Sequence, residues 1–168
     1  MCFMLYAGTD QPIPRKAYDQ SAPDLSVHDL TRDEEPIRAH FRKPEVQNIG
    51  STSHCGCDFP SAMLQGDAWP EAEGHTEEED EERAASDLFN RQALVELLRS
   101  TSEDSVELYG VWAGDYAEAP RKREVISAAE LLDGHFRFKE RCFYTVEALS
   151  SDVEHTPGAR HRYGPKIL

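Results

Sequence analysis

Two cysteines and a histidine lie together in a segment rich in glycine and serine, which reads GSTSHCGCDFP from position 50 to position 60. In an extended backbone, residues i and i+2 point to the same side, so Cys55 and Cys57 can present both sulfurs together. Gly56 between them lets the turn tighten around an ion. Thiolates and imidazole are ligands that zinc prefers, and His54 can supply the imidazole. The segment therefore predicts part of a zinc site.

The remaining ligands of such a site must come from other parts of the chain. The sequence has four cysteines, and the two outside the loop are Cys2 and Cys142. A single Cys-x-Cys is a weaker zinc signal than a pair of Cys-x-x-Cys knuckles, which this chain lacks. We therefore expect a zinc site with Cys55 and Cys57 as its core ligands, completed by Cys2, Cys142 or His54.

The same cysteines also allow two other interpretations. A Cys55–Cys57 disulfide would close a very small ring, and strained disulfides are easily reduced, which suits a thiol-dependent enzyme or a redox protein. Cys2 is a further candidate nucleophile, because removal of the initiator methionine would expose an amine that can act as a base. Alternatively the cysteines are inert, with Cys142 a small hydrophobe on a core-facing row.

The charge of the chain restricts its partners. The sequence has 18 basic and 32 acidic residues, a formal net charge of −14. Such a surface repels phosphate backbones and anionic membranes, so we expect neither nucleic acid nor a membrane as a partner. A basic protein partner is compatible with it, and an acidic interaction module without any site is a third interpretation.

Other motifs of catalysis and targeting are missing from the sequence. It contains no phosphate-binding loop, dinucleotide fingerprint or Gly-x-Ser-x-Gly elbow, so we expect no nucleotide cofactor. The first ten residues, MCFMLYAGTD, have no basic stretch and only a short apolar run. This pattern predicts a cytoplasmic protein, where thiols stay reduced.

The 168 residues fit a single domain. We expect residues 1–149 to form it, with an acidic surface connection at about 61–76 inside it. The last residues, 150–168, have low apolar content and are predicted to form a polar C-terminal tail.

A long helix is predicted after the acidic connection. Residues 71–82 contain eight acidic side chains, and Thr76 with Glu79 forms a capping box. Negative charge is favourable at a helix N-terminus, so we interpret this run as the solvated start of a helix over residues 77–100. Its apolar stripe consists of Ala84, Leu88, Val95 and Leu98, with Leu94 and Leu97 beside them.

Strand-forming segments lie before and after that helix. We predict strands at residues 2–7, 45–49, 106–113, 123–126 and 136–146. The first is apolar on both alternating faces, as in a strand buried on both sides. The last places five residues on one face, namely Phe136, Phe138, Cys142, Tyr144 and Val146, with Glu140 as a carboxylate that interrupts this face.

Two further capping boxes, Thr31 with Glu34 and Ser127 with Glu130, predict short helices. Strands and helices do not alternate regularly along the chain. The sequence therefore predicts an α+β fold, in which a mostly antiparallel sheet packs against one long helix and one or two short helices.

Overall fold

The structure is a computed structural model that describes residues 2–53, 56–59, 77–101, 104–147 and 149. These ranges contain six strands and two α-helices, with one 3-10 helix at Glu35–His40 and a second at Gly56–Asp58. The strands and helices are β1 Phe3–Thr9, β2 Ser26–Asp29, β3 Glu45–Gly50, α1 Glu77–Ser100, β4 Ser105–Trp112, β5 Lys122–Ser127, α2 Ala128–Leu131 and β6 Cys142–Glu147.

All six strands belong to one sheet, in the order β2-β3-β1-β4-β6-β5. Neighbouring strands are antiparallel except for β5 and β6, which run parallel. One long helix and short helical turns accompany this sheet, and the predicted α+β fold is therefore confirmed. None of the helices in the described ranges combines the length and the apolar character that crossing a membrane requires.

The two faces of the sheet carry two separate clusters of buried side chains. The first, which we call the helix face, includes Phe3, Leu5 and Leu108, and it packs against Leu94 and Leu98 of α1. The second, which we call the aromatic face, is formed by Tyr6, Val46, Tyr109, Val111 and Phe143 and is covered by Ile37 and Phe41. The alternation of side chains along each strand separates these clusters.

Helix α1 has the predicted bounds but a different buried stripe. Leu94, Val95 and Leu98 are buried, as the helical spacing predicts, whereas Leu88 is exposed. In the turn after Leu88, Asn90 and Arg91 are the buried residues. The predicted stripe is therefore wrong at Leu88, because polar side chains occupy the inward positions at this level of the helix.

The strand predicted at 136–146 is shorter than expected. Strand β6 begins only at Cys142, after a turn in which Arg141 has a left-handed backbone with φ of 54°. Phe138 is nevertheless buried, and its ring contacts that of Phe136 edge to face at 5.1 Å. Glu140 lies half-buried in this turn and does not interrupt a strand face. The alternating spacing of Phe136 and Phe138 therefore resembled a strand pattern, although both residues lie before β6.

The other predicted strands are present, and the sheet also contains one strand that was not predicted. Strand β1 is buried on both faces, as its apolar run predicts. The missed strand, β2, has only four residues and forms one edge of the sheet. Its outer side is covered in part by Lys16, which exchanges two backbone hydrogen bonds with Val27.

The capping box at Ser127 is formed in full. The Ser127 side chain accepts a hydrogen bond from the Glu130 N–H, and the Glu130 carboxylate accepts one from the Ser127 N–H. At Thr31, the N–H donates to the Glu34 carboxylate, and the predicted short helix follows as the 3-10 helix Glu35–His40.

Candidate functional site at the start of strand β1

The cysteine loop follows β3, and the structure describes two parts of it. Residues 51–53 leave the strand, and the second 3-10 helix, Gly56–Asp58, continues to Phe59. The predicted ligands His54 and Cys55 lie outside the described residues, and so does the side chain of Cys57. The described parts fix where the loop sits on the sheet.

Gly56 lies directly against the backbone of strand β1. A Cβ atom at position 56 would approach the carbonyl oxygen of Phe3 to 2.3 Å and the Cα of Met4 to 3.5 Å. Backbone atoms cannot move away as a flexible side chain can, so only glycine allows this close approach. Cys2 directly precedes Phe3 and Cys57 directly follows Gly56, so each of the two cysteines is the chain neighbour of a residue in this contact.

A carboxylate ties the two described parts of the loop together. The Ser51 hydroxyl donates to Oδ2 of Asp58 at 3.0 Å, and the Ser53 hydroxyl donates to the same oxygen. Ser51 is fully buried, so its hydroxyl needs such a partner. Asp58 thus closes the loop from residue 51 to residue 58.

Helix α1 holds the loop from the other side. The Thr52 N–H and hydroxyl donate to Oδ1 of Asn90 at 2.9 and 3.0 Å, and the Asn90 amide donates to the Ser86 carbonyl at 2.9 Å. Asn90 is fully buried, and so is Phe59, whose ring packs edge to face on Phe138. Neither Asp58 nor Asn90 was predicted from the sequence to anchor the loop. Their only signal was a polar residue beside a glycine loop and another within an apolar stripe.

Cys2 lies at the open end of β1 as an exposed free cysteine. Its carbonyl accepts a hydrogen bond from the Ala113 N–H at 2.8 Å, which extends the pairing of β1 with β4 by one residue. The backbone of Cys2 is therefore fixed by the sheet, while its side chain is accessible to solvent.

Cys142 has a different environment. It is the first residue of β6, its side chain belongs to the core on the helix face, and only 2% of the residue is exposed. Burial raises the pKa of its thiol. A buried thiol in apolar surroundings packs as a small hydrophobe, which is the structural interpretation that the sequence also allowed.

The sheet separates Cys142 from Cys2. Cys142 lies one position beyond the pair Tyr109 and Phe143, and therefore opposite Gly110, which itself pairs with Leu5. Two strand spacings across the sheet and three residues along β1 put the Cα atoms of Cys2 and Cys142 about 14 Å apart. The fold thus brings the backbone at Cys2 next to Gly56 of the loop, whereas Cys142 is buried and about 14 Å from Cys2.

Within the described ranges, no group of three or more His, Cys, Asp or Glu side chains is arranged to hold a metal ion. The set formed by Cys2, Cys57, Cys55 and His54 reaches beyond these ranges, so the predicted zinc site stays a prediction.

The chain was compared with known proteins on three levels. No protein-family model matches it, and no match was found among the curated proteins or the solved structures.

Proposed function

We propose that the protein binds a transition metal, with zinc as the first candidate, through the cysteine loop and Cys2. The proposed ligands are Cys55 and Cys57, with Cys2 as the third and His54 as the fourth. Three thiolates and one imidazole form a common tetrahedral zinc shell. The observation that supports the proposal is the contact between Gly56 and the backbone of Phe3, which places the loop beside the residue that follows Cys2.

Two further features support the loop as a ligand platform. Asp58 and Asn90 tie its described parts to each other and to α1, so folding fixes residues 51–53 and 56–58 before an ion binds. Cys2 is exposed, so its thiol is accessible to an ion without leaving a core. We leave Cys142 out of the proposed shell because of its burial and its distance from Cys2.

Elemental analysis of protein purified without chelator tests the proposal. We expect about one equivalent of zinc per chain, lost in the Cys55→Ser/Cys57→Ser variant and reduced in Cys2→Ser. Cys142→Ala is the matched control, because it also removes one thiol but should keep the metal. Failure of the wild-type protein to take up zinc after reconstitution would contradict the proposal.

A thiol enzyme or redox protein is the second candidate, and the exposure of Cys2 beside the loop favours it. A nucleophilic cysteine needs a thiolate at neutral pH, so alkylation should proceed with an apparent pKa well below the ordinary value of about 8.5. Alkylation rates measured against pH, with mass spectrometry to assign each cysteine, test this. If Cys2, Cys55 and Cys57 all titrate at or above the ordinary value, the enzyme interpretation loses its basis.

A further inference from the structure

The two edges of the sheet differ in how they are covered. At β2, Lys16 lies alongside the strand, with hydrogen bonds of 3.0 and 2.8 Å between its backbone and that of Val27. At the opposite edge, no strand of the described chain pairs with the outer side of β5. An uncovered edge strand offers backbone hydrogen-bonding groups to another chain.

The hydrogen bond of Lys122 shows which residues of β5 face outward. Its N–H donates at 3.4 Å to the carbonyl of Arg141, the residue before its parallel partner Cys142, as a strand residue that faces its neighbour does. The N–H of Arg121, ahead of the strand, donates to the same carbonyl at 2.8 Å. Backbone groups alternate in direction along a strand, so Glu124 and Ile126 also face β6. Arg123 and Val125 therefore direct their N–H and C=O groups away from the sheet. No strand among the described residues pairs with these four groups, which we call the free edge.

The two outward residues of this edge, Arg123 and Val125, are both accessible to a partner strand. Val125, a β-branched residue in the middle of the strand, is 65% exposed. The Arg123 guanidinium lies 4.2 Å from the centre of the Phe143 ring and donates to the His40 carbonyl at 3.1 Å. Arg123 is thus held in place before any partner arrives.

The charge at this edge is opposite to that of the protein as a whole. Lys122 and Lys139 both pair with Glu124, whereas Arg121 and Arg123 form no ion pair with any carboxylate of the described residues. These two guanidinium groups beside the edge of β5 attract carboxylates even though the chain carries a net charge of −14.

We propose that the outer edge of β5 binds an extended acidic peptide segment of a partner protein, which adds a seventh strand to the sheet. The backbone groups of Arg123 and Val125 supply the hydrogen bonds, Val125 supplies an apolar contact, and the arginines select acidic side chains. This proposal is independent of the proposed metal site, which lies at the start of β1.

Hydrogen exchange of backbone amides, followed by NMR, tests the free edge first. In dilute protein, the amides of Glu124 and Ile126 should exchange slowly and those of Arg123 and Val125 rapidly. Protection of Arg123 and Val125 in dilute protein would mean that another part of this chain covers the edge. Protection that appears only at high concentration would mean that a second copy covers it. Either result overturns the proposal.

The probe for binding is a blocked hexapeptide of alternating valine and glutamate, with alternating valine and lysine as the charge control. The acidic peptide should slow exchange at Arg123 and Val125 and bind at least about tenfold more tightly than the basic one. Equal binding of the two peptides, or no added protection at these two amides, contradicts the proposal.

Variants at position 125 separate backbone pairing from charge. Val125→Pro removes an outward N–H and no hydrogen bond to β6, so the fold should persist while peptide affinity falls about tenfold or more. Val125→Thr is its matched control and should bind as the wild type does. Should Val125→Pro unfold the sheet, Val125→Asp and Val125→Lys decide instead. The first should weaken binding and the second should not, and the same affinity in both overturns the proposal.

Discussion

The two faces of the sheet are stabilised in different ways. On the helix face, buried apolar side chains such as Leu108 and Leu94 meet across the interface between the sheet and α1. On the aromatic face, the buried cluster is smaller, and hydrogen bonds accompany it. The Tyr6 hydroxyl donates to the buried carboxylate of Glu34 at 2.8 Å. Apolar burial does not favour one orientation, whereas a hydrogen bond such as this one fixes the position of the segment that covers the aromatic face.

Two contacts show how closely the covering segment packs on the aromatic face. Gly8 leaves room for the ring of Phe41, since a Cβ at position 8 would come within 2.4 Å of that ring. The buried carboxylate of Glu107 accepts hydrogen bonds from the Arg42 N–H at 2.8 Å and the Lys43 N–H at 3.2 Å. The segment after the first 3-10 helix is therefore fixed by one ring and one carboxylate. The comparison predicts that the aromatic face, which carries His40, responds to protonation between pH 5 and 8.

The largest effect is expected from a cavity on the helix face. Leu108→Ala removes a fully buried side chain and should lower the free energy of unfolding by about 2–5 kcal/mol. Urea unfolding followed by circular dichroism measures this. Leu88→Ala is the matched control, because Leu88 is exposed, and it should change stability by less than about 1 kcal/mol. Similar losses in both variants would mean that the helix face is not the main core.

A smaller effect is expected from the hydrogen bond on the aromatic face. Tyr6→Phe keeps the ring but leaves Oε1 of Glu34 without this donor, which should cost about 1–3 kcal/mol. A double-mutant cycle with Glu34→Ala isolates the pair and should give a coupling free energy of about 0.5–3 kcal/mol. Additive losses in the cycle would show that the bond does not contribute to stability.

The smallest effect is a pH dependence at His40 on the aromatic face. Its pKa is lowered from the ordinary value of 6.5, first by burial and then by the guanidinium groups of Arg123 and Arg141, while a hydrogen bond to the Tyr116 backbone opposes the shift. The imidazole also packs against the Tyr109 ring, and its Nε2 is buried without a partner among the described residues. The folded state therefore favours neutral His40.

The direction in which stability changes with pH follows from the difference in proton binding between the unfolded and the folded state. A lowered pKa means that the unfolded chain takes up the proton first, so stability should fall as the pH drops below about 6.5 and level off below the folded-state pKa. His40→Gln should reduce this slope, whereas Leu108→Ala should keep it. Both are measured by urea unfolding between pH 5 and 8. An imidazole of His40 that titrates by NMR at or above 6.5 would contradict the assignment.

Local signals in the sequence predicted most elements but not their arrangement. The acidic run and the apolar residues after it were sufficient for the bounds of α1, and the β-branched and aromatic runs for β1, β3 and β4. Thr76 of the predicted capping box lies outside the described residues. Strand β2 was missed because four residues carry too little periodicity, and β6 was predicted too long because Phe136 and Phe138 reach the core from a turn. The parallel pairing of β5 with β6 depends on long-range contacts, which no single segment encodes.

The candidate site was likewise predicted only in part. The cysteine loop can be recognised from the sequence alone, because its cysteines and its histidine lie close together. Cys2 and Cys142 were equal candidates for a further ligand. The contact of Gly56 with Phe3 depends on strand order, and so does the distance between Cys2 and Cys142. Sequence reasoning could name the four cysteines but not select among them.

The position of β1 inside the sheet has a consequence for the order of assembly during synthesis. It pairs with β3 on one side and with β4 on the other, and Phe3 meets Trp112 more than about a hundred residues later in the chain. A ribosome adds roughly 5–20 residues per second, so β1 leaves the exit tunnel several seconds before its second partner exists. During that interval one side of an apolar strand remains open to other nascent chains. Strand β3 is the nearer partner in the sequence, and its pairing with β1, which brings the cysteine loop to β1, needs no residue of β4.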